Sequence, residues 1–201
     1  MDPVLGRLIQ RVGAFTLAPD RPVHPFQSLA TSILYQQLNG KAAATIVRRF
    51  VEAHGRRGRF PRPDVVAEAT SAALRACGIS FNKGRALQDL AQRTLRGEVP
   101  RFRALERMDD GAIVERLTEV RGIGPWTVEM LLLFRMGRPD VFPVTDFGVR
   151  KGFALTFGRA ELPSPKELME HGERWRPFRS MASWYLWRAT DLAAEAGTTW
   201  P

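Results

Sequence analysis

The arrangement in this chain with the most evident chemistry is Leu117-Thr-Glu-Val-Arg-Gly122-Ile123-Gly124-Pro125-Trp126-Thr127-Val-Glu-Met130. A helical apolar pattern ends near Val120, two glycines bracket Ile123, and a second helix is predicted from about Pro125. Glycine permits the positive φ values of so tight a reversal, and proline suits the first turn of a helix. Backbone N–H groups at such a helix start point outward and make a small anion site that needs no side-chain charge. Gly122, Ile123, Gly124 and Thr127 are the residues expected at that site, with Ile123 also tucked between the helices to hold the hairpin shut. A Gly-x-Gly step alone describes an ordinary αα-turn equally well. The amphipathic helices on both sides, the proline and the Trp-Thr pair favour a phosphate-binding hairpin.

Farther along, Asp146 precedes the run Phe147-Gly-Val-Arg-Lys-Gly-Phe-Ala-Leu155. An aspartate at a helix start is most simply an N-cap, and the positive end of the helix dipole also favours a negative charge there. Trp184 and Trp187 stand three residues apart, on one helical face beside Met181, Ala182, Tyr185 and Ala189. Core packing and an aromatic recess are both open to them.

These groups sit in a chain of 201 residues with 30 basic and 21 acidic side chains, a formal net charge of +9. Such a field favours a polyanionic partner, and arginine, which dominates the cations, donates two parallel hydrogen bonds to phosphate. An arginine-rich composition that merely solubilises helices accounts for the charge equally well. Cys77 is the only cysteine, so an intramolecular disulfide, a Cys-rich zinc site and a four-cysteine cluster are excluded. His24, His54 and His171 have no metal-ligand spacing, and neither a metal nor a cofactor is expected. The longest apolar run, at Met130-Leu-Leu-Leu-Phe134, is too short for a bilayer, and Met1-Asp-Pro-Val4 does not resemble a secretory signal. The expectation is a soluble cytoplasmic protein of bacterial type, without membrane contact.

The elements that must position these residues read as helices almost throughout. Phe26, Leu29, Ala30, Ile33, Leu34 and Gln37 follow the helical period, as do Ala42, Ala43, Ile46, Val47, Phe50 and Val51. Leu87, Leu90, Ala91 and Leu95 form a third stripe, and Asp109 or Asp110 caps a helix bearing Ile113, Val114, Leu117 and Val120. No segment alternates with a period of two, so the fold class is all-α. His54-Gly-Arg-Arg-Gly-Arg-Phe-Pro-Arg-Pro63 is a basic loop, and connections at 97–100 and 162–165 are too short to be flexible linkers.

With these blocks in hand, the chain resembles the helix-hairpin-helix–GPD superfamily of DNA glycosylases, and within it the alkylpurine branch of 3-methyladenine DNA glycosylase II. The hairpin Arg121-Gly-Ile-Gly-Pro-Trp-Thr is followed by Asp140-Val-Phe-Pro143-Val-Thr-Asp146, with 22 positions from Gly124 to Asp146, as in the family. Ser32-Ile-Leu-Tyr-Gln-Gln37-Leu38-Asn-Gly-Lys-Ala-Ala43 is similar to its wedge-bearing helix and loop. Glu173 to Trp187 is similar to the signature helix of the alkylpurine branch. The resemblance implies a core of 1–201 without the N-terminal β domain of some relatives. Its two helical lobes would be roughly 27–135, with the hairpin at 110–135, and the N-terminal segment plus 136–201, with the DNA cleft between them.

The resemblance also implies roles. Asp146 would stabilise the oxocarbenium-like sugar and orient a water while a flipped purine leaves. Trp126 occupies the position where strand-cleaving relatives carry a lysine nucleophile, which implies base excision without lyase activity. An indole there, with Met130 one turn on and Trp187 in the pocket, suits the positive charge of 3-methyladenine or 7-methylguanine. Trp184 is a pocket or a core residue. Met130 replaces an aromatic of some relatives and leaves a more permissive enclosure. Gln37 and Leu38 match the intercalating wedge, although helix termination explains them as well. Lys83, Arg85, Arg150 and Lys151 are either phosphate contacts or solvated charges. The implied partner is double-stranded DNA containing alkylated bases, bound by a monomer. The rival readings are a non-catalytic DNA-binding module and a glycosylase of the same fold for oxidised or deaminated bases.

Overall fold

In the computed structural model, which describes residues 2–20 and 23–197, the chain folds into helices joined by short turns. They are α1 (Pro3–Val12), α2 (Pro25–Tyr35), α3 (Gly40–His54), α4 (Pro63–Glu68), α5 (Ser71–Ala76), α6 (Phe81–Leu95), α7 (Phe102–Leu105), α8 (Asp110–Thr118), α9 (Pro125–Phe134), α10 (Phe147–Thr156), α11 (Pro165–Gly172) and α12 (Arg179–Glu195), with a 3-10 turn at Glu173–Trp175 before α12. Among the described residues there is no strand beyond one isolated bridge between Arg56 and Arg59. No helix there is long and apolar enough to cross a membrane.

Local chemistry explains most helix starts. Asp2, Asn39, Thr70, Ser80, Asp109 and Ser164 each accept a backbone N–H from the first turn of their helix, removing one unsatisfied donor. At α11 the bond is reciprocal, because the Glu167 carboxylate accepts the Ser164 N–H. Asp109, not Asp110, is the cap of α8.

The chain divides into two compact units, Arg21–Leu131 and Met1–Asp20 with Leu132–Pro201. The second boundary thus falls inside α9, a few residues before the position near 135 that the resemblance implied. In the 21–131 unit, α6 packs against α2, α4 and α5. Leu29, Ile33, Leu34, Phe50, Leu74, Leu87 and Leu90 are fully buried there. The predicted stripes overran at two ends. Gln37 lies outside α2, which stops at Tyr35, and Leu95 in the last turn of α6 faces solvent.

In the other unit α10 lies along α12, and α1 covers both. Leu5, Leu8, Val149, Phe153, Leu168, Ala182, Tyr185 and Leu186 form its core. The loop that leads to Asp146 is fastened to the start of α12. Arg179, with a side chain only 8% exposed, donates to Asp140 Oδ1 at 2.7 Å and Oδ2 at 2.9 Å. Ser180 Oγ accepts the Val141 N–H at 2.9 Å. Burial works against ionisation of Asp140, yet the Arg179 guanidinium, with Arg176 beside it, holds its carboxyl below the usual range.

A carboxyl depressed in the folded state stabilises the fold above its unfolded value, near 3.8, and that stabilisation is lost as pH falls further. Arg179→Met is therefore expected to cost about 3 kcal/mol in urea unfolding at neutral pH. The variant should also lose less of its remaining stability than the parent when melting is followed below pH 3.8.

Candidate DNA-binding and base-excision site

The turn between α8 and α9 is a helix-hairpin-helix built on one left-handed residue. Gly122 has φ +76°, and a Cβ there would come within 3.2 Å of Ala86 Cβ. Gly124 does not take positive φ, and nothing lies within 4 Å of where its Cβ would be. Its missing side chain leaves the approach to the helix start open. The N–H of Ile123 goes to Val120 O at 3.1 Å and that of Thr127 to Gly124 O at 3.0 Å. Ile123 and Thr127 are also buried. The hairpin's outward donors are accordingly fewer than the motif suggested. The N–H groups of Gly122 and Gly124 are left without an acceptor among the described residues. Two side chains fix its pose: Asp89 Oδ2 accepts the Arg121 N–H at 2.8 Å, and Gln36 Nε2 donates to Gly122 O at 2.9 Å.

Gln36 also begins the expected wedge loop. After α2 ends, Gln37 adopts φ +56°, a left-handed conformation that costs a non-glycine residue on the order of 1 kcal/mol. Leu38 follows, 39% exposed, and Asn39 starts α3. The ammonium of Lys83 secures this loop by donating to Leu34 O at 2.9 Å and Gln36 O at 2.7 Å. Burial pushes the Lys83 pKa down, while the two carbonyls take up its protons' hydrogen bonds. Lys83 therefore caps the end of α2, which occupies two of its three donors. Similarly, Arg150 donates to Pro163 O at 2.9 Å.

Beside this loop lies a recess of about 390 Å3 lined by Ser32, Tyr35, Gln36, Gln37, Trp126, Thr127 and Met130. It brings two of the expected pocket residues, Trp126 (43% exposed) and Met130, together with the wedge loop. Tyr35 is not among the residues that the sequence assigns to the pocket. Its place in the recess follows from the end of α2, which spacing did not locate.

In the other unit, Asp146 is the N-cap of α10, accepting the Val149 N–H at 2.8 Å on Oδ1. The same oxygen accepts Trp187 Nε1–H at 2.8 Å. The Trp187 ring stacks on Phe134 with centroids 5.6 Å apart and planes 25° off parallel. Trp187 thus acts on the carboxylate, in addition to presenting an aromatic face. Two glycines allow this contact. A Cβ on Gly148 would stand 2.8 Å from Trp187 Cδ1, and one on Gly152 would overlap the Leu186 carbonyl. Their four-residue spacing puts both on one face of α10 and is the signal in the sequence for this close approach.

Trp184 is corrected to a core residue. It is 8% exposed and packs edge-on against Phe15 and Tyr185, at 5.2 Å and 4.9 Å. Three residues before Trp187, and so about 60° short of a full turn from it, Trp184 points into the apolar interior between α12 and the N-terminal segment.

Gly148→Ala is expected to displace the Trp187 indole from Asp146, and Trp187→Phe to remove the bond's donor. Each should lower folding stability by about 1–2 kcal/mol in urea titrations, and a cost confined to one variant would separate packing from the hydrogen bond.

Comparison with known proteins gives the family of the chain. Residues 30–177 match the HhH-GPD superfamily of base excision DNA repair proteins. DNA-3-methyladenine glycosylase 1 of Schizosaccharomyces pombe is 36% identical over 190 residues, covering 93% of this chain and 82% of the relative. The solved 3-methyladenine DNA glycosylase of the same yeast, in complex with abasic DNA, superposes with a TM-score of 0.84 over 96% of this chain and 94% of its own. A DNA-3-methyladenine glycosidase from Bacillus halodurans gives 0.86 at 34% identity, over 96% and 87%. With its hairpin, its recess and its tryptophan-held aspartate, the chain belongs to the HhH-GPD superfamily of base excision DNA repair proteins.

Proposed function

We propose that this protein is a monofunctional DNA glycosylase that hydrolyses the N-glycosidic bond of alkylated purines, of the 3-methyladenine and 7-methylguanine type, in double-stranded DNA. The observation that carries the proposal is the Asp146 carboxylate, whose Oδ1 is held by both the Val149 N–H and the Trp187 indole. A carboxylate held in one orientation at a helix start is suited to stabilising positive charge developing on a sugar. It also suits the placing of a water for attack at C1′.

The remaining parts follow from the same chemistry. The hairpin takes a backbone phosphate on the Gly122 and Gly124 N–H groups. Leu38, presented by the left-handed Gln37, fills the stack when the damaged nucleotide leaves it. Trp126, Tyr35 and Met130 offer π faces and a polarizable sulfur to a cationic base. Such a base is already a good leaving group, so no strong general acid is needed. Trp126 cannot form a Schiff base, and the product is an unbroken strand with an abasic site. The protein acts as a monomer.

The DNA-3-methyladenine glycosylase named among the relatives supports the substrate class, and 36% identity over most of both chains supports carrying it over.

The test is base release from methylated, oxidised and deaminated duplexes, with the liberated bases identified by mass spectrometry. Alkylated purines are expected from the parent protein. Asp146→Asn should lower single-turnover release by at least about a thousandfold, some 4 kcal/mol of transition-state stabilisation, while duplex binding stays within a few-fold. Undiminished release by the variant would defeat the role given to Asp146. Strand cleavage accompanying release in the parent would defeat the monofunctional assignment.

A further inference from the structure

The basic loop after α3 is a built element that base excision leaves unused. Arg56-Arg57-Gly58-Arg59 forms a two-residue reversal, with an Arg59 N–H to Arg56 O bond of 3.1 Å closing it. Arg57 has φ +53° and Gly58 φ +70°, the pair of positive values that defines a type I′ turn. Asn or Gly normally stands at the first of these positions, and arginine there is strained.

The turn is firmly seated nonetheless. Phe60, which follows it, packs edge-on between Phe26 and Phe50, with centroids 6.2 Å and 5.7 Å away. A Cβ on Gly55 would overlap the carbonyls of Val51 and Arg59, so the turn folds tightly back on the end of α3. A rigid platform that keeps an arginine in a strained conformation directs attention to what that arginine does.

The guanidinium groups of Arg56, Arg57 and Arg59 form no ion pair among the described residues, and all three residues are exposed. They line a depression of about 540 Å3, which His54, Phe60 and Arg62 also border. Arg62 is occupied by a two-point pair with Asp64, at 3.0 Å and 2.7 Å. The His54 Nε2 is buried without a hydrogen-bond partner. Three unpaired guanidiniums around one concavity match a run of phosphates, each of which can accept two parallel N–H bonds.

We propose that the Arg56–Arg59 turn is a second phosphate-binding site, which holds duplex DNA at a distance from the damaged nucleotide. Helix α3 fixes that distance. The wedge loop lies at its first residue and the turn just past its last, so its 15 residues hold the two about 22 Å apart. On a duplex that runs along α3, as the proposal requires, this equals about six base pairs. The site lengthens the DNA footprint beyond what the hairpin covers. It depends on DNA binding and not on base release, so loss of the role given to Asp146 would leave it standing.

The experiment measures affinity for duplexes centred on an abasic-site analogue, as a function of salt. On a duplex of about 24 base pairs, the triple variant Arg56→Gln, Arg57→Gln, Arg59→Gln is expected to reduce the slope of log K against log[salt] by about 2 to 3, near 0.9 for each phosphate contact. On a duplex of about 10 base pairs, too short to reach the turn, parent and variant should have equal slopes.

A control triple, Arg7→Gln, Arg11→Gln, Arg75→Gln, removes the same charge from exposed positions elsewhere and should leave the long-duplex slope at the parent's value. Equal slopes for parent and turn variant on the long duplex overturn the proposal. So does an equal drop on the short one, or a matching drop in the control. Arg57→Gly gives an independent reading, because it relieves the left-handed strain. It should raise the melting temperature while taking about one unit from the long-duplex slope, and a rise with no change in slope also overturns the proposal.

Discussion

Helices α10 and α12 approach so closely at Gly152 that a methyl group there would overlap the Leu186 carbonyl. That approach brings the next residue of α12, Trp187, over Gly148, where again no side chain intervenes, and its indole N–H reaches Asp146 Oδ1. The orientation of the carboxylate thus depends on the absence of two side chains on α10. Because interiors pack at crystal-like density, no slack exists to absorb even one added methyl at these points. The cap bond from Val149 fixes the same oxygen from the helix side, so the fold holds Asp146 through both its own helix and a neighbouring one.

The segment that carries the chain into Asp146 is fastened by buried polar groups. Asp140 is bound by Arg179 at the start of α12, and Ser180 and Ser183 hold the backbone of Val141. An apolar fastening could be as stable, since burying a charge pair costs much of what its attraction returns. Directional bonds add a fixed geometry for the loop. Arg179, Ser180 and Ser183 belong to the same helix as Trp187, so a single element both places the loop and orients the acid.

In the 21–131 unit, positioning is done through backbone groups at helix ends. Lys83 takes the carbonyls that α2 leaves unsatisfied, Asp89 takes an N–H of the hairpin, and Gln36 joins the hairpin to the wedge loop. Each of these polar side chains resembled an ordinary surface residue or a phosphate contact in sequence. Among the described residues, the two with positive φ other than glycine, Gln37 and Arg57, flank α3 at its two ends. Both present exposed side chains from strained turns, which is the usual place for strain in a protein that binds something.

Periodicity and breakers determined the all-helical class, the hairpin and its burial of Ile123, and the helix opened by Asp146. All of these follow from contacts a few residues apart, which a linear pattern records. The Gly-x-Gly-Pro step and the 22-residue interval to Asp146 likewise identified the superfamily without coordinates. Tertiary structure alone decided which tryptophan meets the acid. Trp184 and Trp187 share a stripe in sequence, yet one turn's residual rotation buries the first against Phe15 and brings the second to Asp146. It also gave Lys83, open in sequence to a phosphate contact or a solvated charge, two carbonyls at the end of α2, and admitted Tyr35 to the recess beside Trp126. Partners 41 to 49 residues apart are set by how helices pack, and packing depends on shape in three dimensions, which the order of residue types does not carry.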